Sequence, residues 1–407
     1  MKTIKNISIE DFDYPLTEHH IAKYPLANRS DSLLLHYHEG AIMHKKFKDI
    51  VDLFLPGDFW VVNNTKVIPA RIHFQKTSGA QIEVFCLEPI DTDYTSALTN
   101  RNQGTWLCFV GGAKKWKEGA LTKNYTYKNQ TGQLEALCIS RKENGFIIQL
   151  TWNLGTFSEV LECCGELPIP PYLNRNTEAA DYDRYQTLFA QWEGSVAAPT
   201  ASLHFDEDLI QQIKAKGVQQ GCVTLHVGAG TFKPVSSATI GEHDMHAEYF
   251  EVSISFLQDW IKKIKNKERT ITVGTTALRT LESLYWLGNA KIDPDEHQLF
   301  HLTQWAPYQN QVEHSLLENL LWLCQRAIEL GIDHIAGTTQ ILIGPGYTIK
   351  TSDVLITNFH QPKSTLLLLV FAAVGEDWKK IYDSALQFPY RFLSYGDSSW
   401  LGIKKGL

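Results

Sequence analysis

The hydrophobic pattern of this chain changes character along its length, and that change constrains the fold more than any other feature. From Phe59 to Trp152 the apolar residues come in short strand-like runs, FWVVNN, ARIHFQ, QIEVFCLE, TWLCFV, LEALCIS and GFIIQLTW, separated by Gly, Asn, Lys and Thr. Many short strands with such punctuation point to a small β-barrel or sandwich. After about residue 155 the pattern alternates between helix and strand. DEDLIQQIKAK has apolar residues at 209, 210 and 213, with Gly217 placed to end the helix, and GCVTLHV follows as a strand. FLQDWIKKIK sets Leu257, Trp260, Ile261 and Ile264 on one face; TALRTLESLYWLG and LLENLLWLCQRAIELG are further helices, and VLITNF is a buried strand. The fold class is α/β. The expected organisation is a layered α/β domain, 1–58 and 155–407, carrying an inserted small β-barrel domain, 59–154.

With 407 residues the chain can bury a large core and divide into two domains. A net charge of −7 argues against a protein that coats nucleic acid or membrane nonspecifically, and leaves room for a local basic face. The seven cysteines include no Cys-x-x-Cys, which reads as reduced thiols in the cytoplasm rather than a disulfide frame or a metal site. The longest apolar run, Leu366 to Val374, is too short to span a bilayer, and Glu10, Asp11 and Asp13 stand where a signal peptide would have its apolar core. A soluble cytoplasmic monomer with no membrane partner is expected.

Two stretches of small residues look like parts of a site. GSVAAPTASLHF (194–205) and TLHVGAGTFKP (224–234) each carry one histidine, His204 and His226, among glycines, alanines and hydroxyls. Small residues let a ligand or a second backbone approach, and an imidazole beside that opening supplies a group titrating near neutrality. HVGAGT has the look of a cofactor loop, but Phe232, Lys233, Pro234 and Val235 follow where a helix should open. His243, His246 and Glu248 offer no helical or strand spacing that would converge three ligands, so no metal is expected. Asn358, His360, Lys363 and Ser364 join a buried strand to a helix, where anions are favoured, although Ser364 also suits plain capping; Thr275, Thr276 and Arg279 occupy an analogous junction. Tyr395 and Asp397 lie in an aromatic and charged segment near the C-terminus, equally readable as a docked tail. Lys114, Lys115 and Lys117 flank Trp116, the mixture of charge and aromatic ring used by surfaces that bind nucleic acid.

Taken together, these segments resemble the S-adenosylmethionine:tRNA ribosyltransferase-isomerase family of queuosine biosynthesis. The matching stretches run from FDYPLTEHHIAKYPLANR (12–29) and PGDFWVVNNTKVIPARI (56–72) through ELPIPPYL (166–173) and HDMHAEYFEV to VGTTALRTLES (273–283), GPGYTIKTSDVLITNFHQPKSTLLLLV and YRFLSYGD. Residues 29–35 lack a second arginine usual in the family, Asn64 and Lys66 stand where Asp and Arg are common, and an insertion separates Leu287 from Gly337.

The resemblance implies transfer of the ribosyl portion of S-adenosylmethionine to a 7-aminomethyl-7-deazaguanine base in the tRNA anticodon loop. The product is epoxyqueuosine, with adenine and methionine released and no cofactor beyond S-adenosylmethionine as co-substrate. It makes His204, His226 and His246 the acid–base candidates, with Arg71 beside them. Thr200, Gly228, Gly230, Thr275, Thr276, Arg279, Asn358, His360, Lys363, Ser364, Tyr395 and Asp397 become substrate contacts, and Lys114, Lys115, Trp116 and Lys117 the tRNA surface. An S-adenosylmethionine-dependent RNA methyltransferase and a noncatalytic RNA-binding paralogue are the competing readings.

Overall fold

In the computed structural model, described for all residues except 1–3, 144, 229, 231–234, 236, 310–311 and 406–407, two large sheets organise the chain. The first has ten strands in the order Phe300–Leu302, His334–Thr339, Glu248–Ser253, Gln219–Leu225, Phe59–Asn63, Thr270–Val273, Val354–Asn358, Ser398–Gly402, Leu33–His38 and Ala41–Lys46. Its four central strands, from Gln219–Leu225 to Val354–Asn358, are mutually parallel. The outer strands are mixed in direction.

Strand Phe59–Asn63 was expected to open the inserted β-domain, and here the structure differs. It sits at the centre of the ten-stranded sheet, with all five residues buried. Phe59 and Val61 pack into one core with Trp260, Leu278 and Leu281, while Trp60 and Val62 pack into another with Leu209, Ile213 and Phe205. A strand covered on both faces carries a continuous apolar run, which in sequence is indistinguishable from the runs that follow it. The covering helices form where the spacing placed them. Glu207–Ala215 is capped by Asp206, Ile254–Lys265 by Ser253, Leu316–Leu330 by a Ser315/Glu318 capping box, and Thr365–Val374 by Ser364. Helix Thr275–Asn289 is buried along nearly its whole length, between the sheet and helix Leu316–Leu330. Its one buried carboxylate, Glu282, accepts from Tyr347 Oη, Thr351 Oγ1 and the backbone amides of Lys350 and Thr351. That satisfies a polar group the core would otherwise reject.

The second sheet is antiparallel, in the order Gly165–Glu166, Arg71–Gln75, Gln81–Pro89, Gln103–Gly111, Gly145–Trp152, Gln130–Lys142 and Leu121–Tyr127. It has its own core around Trp106, Trp152, Phe157 and Leu134. The sheet curls far enough for Lys123 Nζ, on one outer strand, to donate to His73 O near the other, at 2.9 Å. Among the described residues no strand pairing closes the ring, so the arrangement is a half-barrel rather than the closed barrel expected. Also among the described residues, no helix is long and apolar enough to cross a membrane.

Candidate active site

The four central parallel strands bring their C-terminal ends to one edge of the sheet. Leu225 leads into His226, Asn63 into Asn64 and Thr65, Val273 into Gly274, Thr275 and Thr276, and Asn358 into Phe359 and His360. Open α/β sheets bind ligands at this edge, where the chain leaves neighbouring strands in opposite directions. The next two members of the parallel set in sequence, Gln219–Leu225 and Thr270–Val273, do lie on either side of Phe59–Asn63.

A cleft of about 90 Å³ opens there. Thr200, Thr275, Thr276, Asn358, His360 and Ser364, all expected from sequence, line it together with Tyr172, Tyr185 and Ala197–Pro199. Among the described residues no carboxylate, lysine or arginine lines it. Helices Thr275–Asn289 and Thr365–Val374 both begin at it, and their N-terminal amides and dipoles favour an anionic group. Ser364 also performs the ordinary capping task, accepting from Leu367 N at 3.2 Å.

His204 stands behind the cleft wall. Asn358 Nδ2 donates to its Nε2 at 3.3 Å and to Leu393 O at 3.2 Å, while Asn358 Oδ1 accepts from Thr200. The Nε2 lone pair is thereby occupied, and the proton sits on Nδ1, which meets Ser32 Oγ at 3.0 Å. Burial, with Arg391 and Arg29 nearby, pushes this imidazole down to about 3. His204 is a neutral strut that fixes Asn358, with no lone pair free to take a proton.

His226 is built differently. Its Nδ1 lies 2.8 Å from Thr65 Oγ1, and its ring packs in a triangle with Tyr94 of the half-barrel unit and Tyr249, with centroids 4.6 and 5.8 Å away and the two tyrosines 6.0 Å apart. Burial pushes it down to about 4, so it is neutral at physiological pH. Among the described residues no hydrogen bond occupies its Nε2. Gly194 backs the ring closely: a Cβ there would lie 2.8 Å from Cε1 and Nδ1, at a backbone φ of +146°.

Next to His226, Arg279 and Glu248 form a buried ion pair, and His246 Nε2 reaches the other carboxylate oxygen at 3.2 Å. Gly228 N donates to that oxygen too. Burial alone would raise the Glu248 carboxyl; Arg279, His246 and the amide outweigh it and hold it at about 2. Among the described residues Arg279 Nε and Nη2 are buried without partners, and Arg279 lines a small depression with His246 and Leu366. Thr365 and Leu366 line both this depression and the cleft, so the two spaces adjoin. Gly228 and Gly230 lie against the His246 ring, where a Cβ on Gly230 would collide with it. Of the residues that the loop reading invoked, Phe232, Lys233 and Pro234 lie outside the described residues, as does Ala229.

Other expected residues are engaged elsewhere. Lys363 is paired with Glu10 at 2.7 Å and Asp13 at 3.1 Å, so its charge is already neutralised. Tyr395 donates to Asp181, and Asp397 accepts from Leu33 N and Arg391 N while pairing with the Arg391 guanidinium; both are buried structural ties. Arg71 contacts Glu83 and the Phe85 ring within the half-barrel, and among the described residues no hydrogen bond joins it to any of the three histidines. Trp116 is a correction. It is 4% exposed, packed in the half-barrel core with Nε1 donating to Gly119 O, and cannot offer a face to a base; Lys114, Lys115 and Lys117 are exposed around it. Among the described residues no group of three His, Cys, Asp or Glu is placed to hold a metal ion. Sequence reasoning missed Tyr94, Tyr249 and Tyr172, whose isolated aromatic positions carry no pattern that separates them from core.

An α/β protein with a polar, uncharged cleft at the ends of its parallel strands, neutral imidazoles at its margin and an appended half-barrel belongs to the broad class of small-molecule-binding α/β proteins. The comparisons narrow this. The family described as Queuosine biosynthesis protein matches residues 9–401, and the chain belongs to that family. It is 37% identical over 401 residues to the S-adenosylmethionine:tRNA ribosyltransferase-isomerase of Polynucleobacter necessarius subsp. necessarius (strain STIR1), covering 97% of this chain and 98% of that one. The protein of the same name from Legionella pneumophila (strain Lens) is 38% identical over 396 residues, covering 96% and 99%. The crystal structure of the S-adenosylmethionine tRNA ribosyltransferase from Thermotoga maritima is 26% identical, with 96% and 99% of the two chains covered and a TM-score of 0.46.

Proposed function

We propose that this chain is an S-adenosylmethionine:tRNA ribosyltransferase-isomerase. It moves the ribosyl portion of S-adenosylmethionine onto the 7-aminomethyl-7-deazaguanine base at the tRNA wobble position and closes an epoxycyclopentane, releasing adenine and methionine. The observation that carries the reading is the end-to-end match to relatives of that name, spanning both the α/β part and the half-barrel. The site chemistry agrees with it. A sulfonium acidifies the adjacent C5′ protons, and a neutral imidazole can remove one. His226 takes that role, with Thr65 orienting Nδ1 and the tyrosine pair excluding water. His246, linked to Glu248 and Arg279, is the partner for proton return. Thr200, Thr275, Thr276, Asn358, His360 and Ser364 hold the co-substrate in the cleft, its carboxylate toward the helix N-termini, and His204 positions Asn358.

The separate core of the half-barrel supports a division into a discontinuous α/β domain and an inserted barrel-like domain that begins after strand Phe59–Asn63. The enzyme works as a cytoplasmic monomer, with exposed Lys114, Lys115 and Lys117 toward the tRNA. The test is incubation of the full chain with S-adenosylmethionine and tRNA bearing the aminomethyl base, followed by nucleoside and small-molecule analysis. Equimolar adenine and methionine with epoxyqueuosine in the tRNA is the expected result. S-adenosylhomocysteine would make the chain a methyltransferase, and binding without turnover a noncatalytic RNA-binding paralogue.

A further inference from the structure

On the far side of His204 from the cleft lies a second, smaller recess, of about 20 Å³, walled by Arg29, Arg184, Arg391, Asn28 and Ser394. Space of that size holds one water or the oxygen of an anion seated at its mouth. Among the described residues Arg29 donates only to the carbonyls of Leu203 and Asp183, each at 3.1 Å. Arg184 donates, among the described residues, only to those of Ala27 and Leu26, at 3.0 and 2.6 Å, and its buried Nε finds no partner there. Among the described residues no carboxylate comes within ion-pair distance of either. Asp183 is near enough to influence Arg29 but not to pair with it, and Asp181 is taken by Arg175 at 2.7 Å. Among the described residues Arg391 has one counter-charge, Asp397 at 3.2 Å. Three guanidinium groups therefore face one carboxylate. Crowding cations together away from water is costly unless an anion joins them, and burial with Arg184 alongside already disfavours the charge on Arg29.

We propose that this recess binds a backbone phosphodiester of the tRNA, through Arg29 and Arg184 with Arg391 behind them. The proposal rests on the reading of the chain as a tRNA-modifying enzyme. Guanidinium forks match the paired non-bridging oxygens of a phosphate, and exposed Ala27 and Asn28 leave the rim open to a large substrate. The wall between recess and cleft is the His204–Asn358 pair, about one side chain thick, since Ser394 lines both spaces. A nucleotide whose base enters the cleft can thus leave its own or a neighbouring phosphate at the recess. The methionine carboxylate of the co-substrate has the two helix N-termini inside the cleft and does not need the recess.

The test is binding of an anticodon hairpin by the full-length enzyme at increasing KCl, with calorimetric binding of S-adenosylmethionine in parallel. The double variant Arg29→Gln/Arg184→Gln should bind the hairpin at least about tenfold more weakly at moderate salt. Its log–log salt slope should flatten by about 0.7 to 0.9, the contribution of one phosphate. S-adenosylmethionine affinity should not change. An unchanged slope and affinity overturn the proposal, as does weaker S-adenosylmethionine binding with an unchanged slope, which would give the recess to the carboxylate. Should the double variant melt early by circular dichroism, Arg184→Lys decides: charge is kept and the fork lost, so the slope should persist while hairpin affinity falls, and unaltered affinity overturns the assignment. A wild-type enzyme that fails to bind the hairpin at all refutes the tRNA reading itself, whereas wild-type binding with an insensitive variant refutes only the recess.

Discussion

Replacing Arg279 by methionine isolates the electrostatic centre beside His226. The Glu248 side chain has no solvent exposure, so in the variant a carboxylate is left inside the protein without its arginine partner. Holding this carboxyl at about 2 rather than its ordinary 4.5 is worth about 3 kcal/mol of folding stability near neutrality. Loss of one partner of a buried pair typically costs about 3–5 kcal/mol, in agreement.

The sign follows from proton binding. Because the folded value is depressed, the contribution is complete above the unfolded value, near pH 5 and higher. It shrinks as the unfolded chain takes up a proton that the folded chain refuses, and it is gone below about pH 2. About 2 kcal/mol of it should be lost between pH 7 and pH 3. Urea unfolding of wild type and Arg279→Met at pH 7, 5, 4 and 3, each fitted for midpoint and slope, gives the difference directly. The gap should be about 3 kcal/mol at pH 7 and narrow toward low pH, with Arg279→Lys retaining part of the wild-type stability. A gap that stays constant from pH 7 to pH 3 would refute the reasoning, because Arg279 would then stabilise by packing rather than by holding a carboxylate.

His226→Ala should lower kcat by about a hundredfold to ten-thousandfold with tRNA affinity unchanged, whereas His204→Ala, which frees Asn358, should act mainly on S-adenosylmethionine KM. With His226 as base and its imidazole at about 4, wild-type kcat/KM should show no acidic limb at the ordinary imidazole value, and a limb near 6.5 would move the base to another residue. Gly194→Ala drives a methyl into the His226 ring at a φ that side chains avoid; stability should fall by about 1–3 kcal/mol, and turnover by about a hundredfold from the displaced ring, measured by unfolding and steady-state kinetics. Alanine at Lys114, Lys115 and Lys117 together should flatten the salt slope of tRNA binding. Trp116→Ala should leave that slope alone and cost about 3–5 kcal/mol as a core truncation, read from denaturant midpoints.

Hydrophobic periodicity and capping chemistry are local, so the sequence by itself determined the α/β class, the helices begun by Ser253, Ser315 and Ser364, and most of the half-barrel strands. It also determined which segments gather at the cleft, since a strand-to-helix junction such as Asn358 to Ser364 can only sit at a sheet edge. Strand partnership is not local. Nothing within Phe59–Asn63 distinguishes a centre strand of the large sheet from an edge of the smaller one, and only the registers to Gln219–Leu225 and Thr270–Val273 decide it. The roles of the histidines were likewise decided by tertiary structure. His204 and His226 occupy similar small-residue surroundings in sequence. In the fold, Asn358 fills the lone pair of one, while Thr65, Tyr94 and Tyr249 hold the other without doing so. Trp116 and Lys363 show the same limit: an indole or an ammonium is available for binding only if the fold has not already buried or paired it, and that depends on residues distant in sequence.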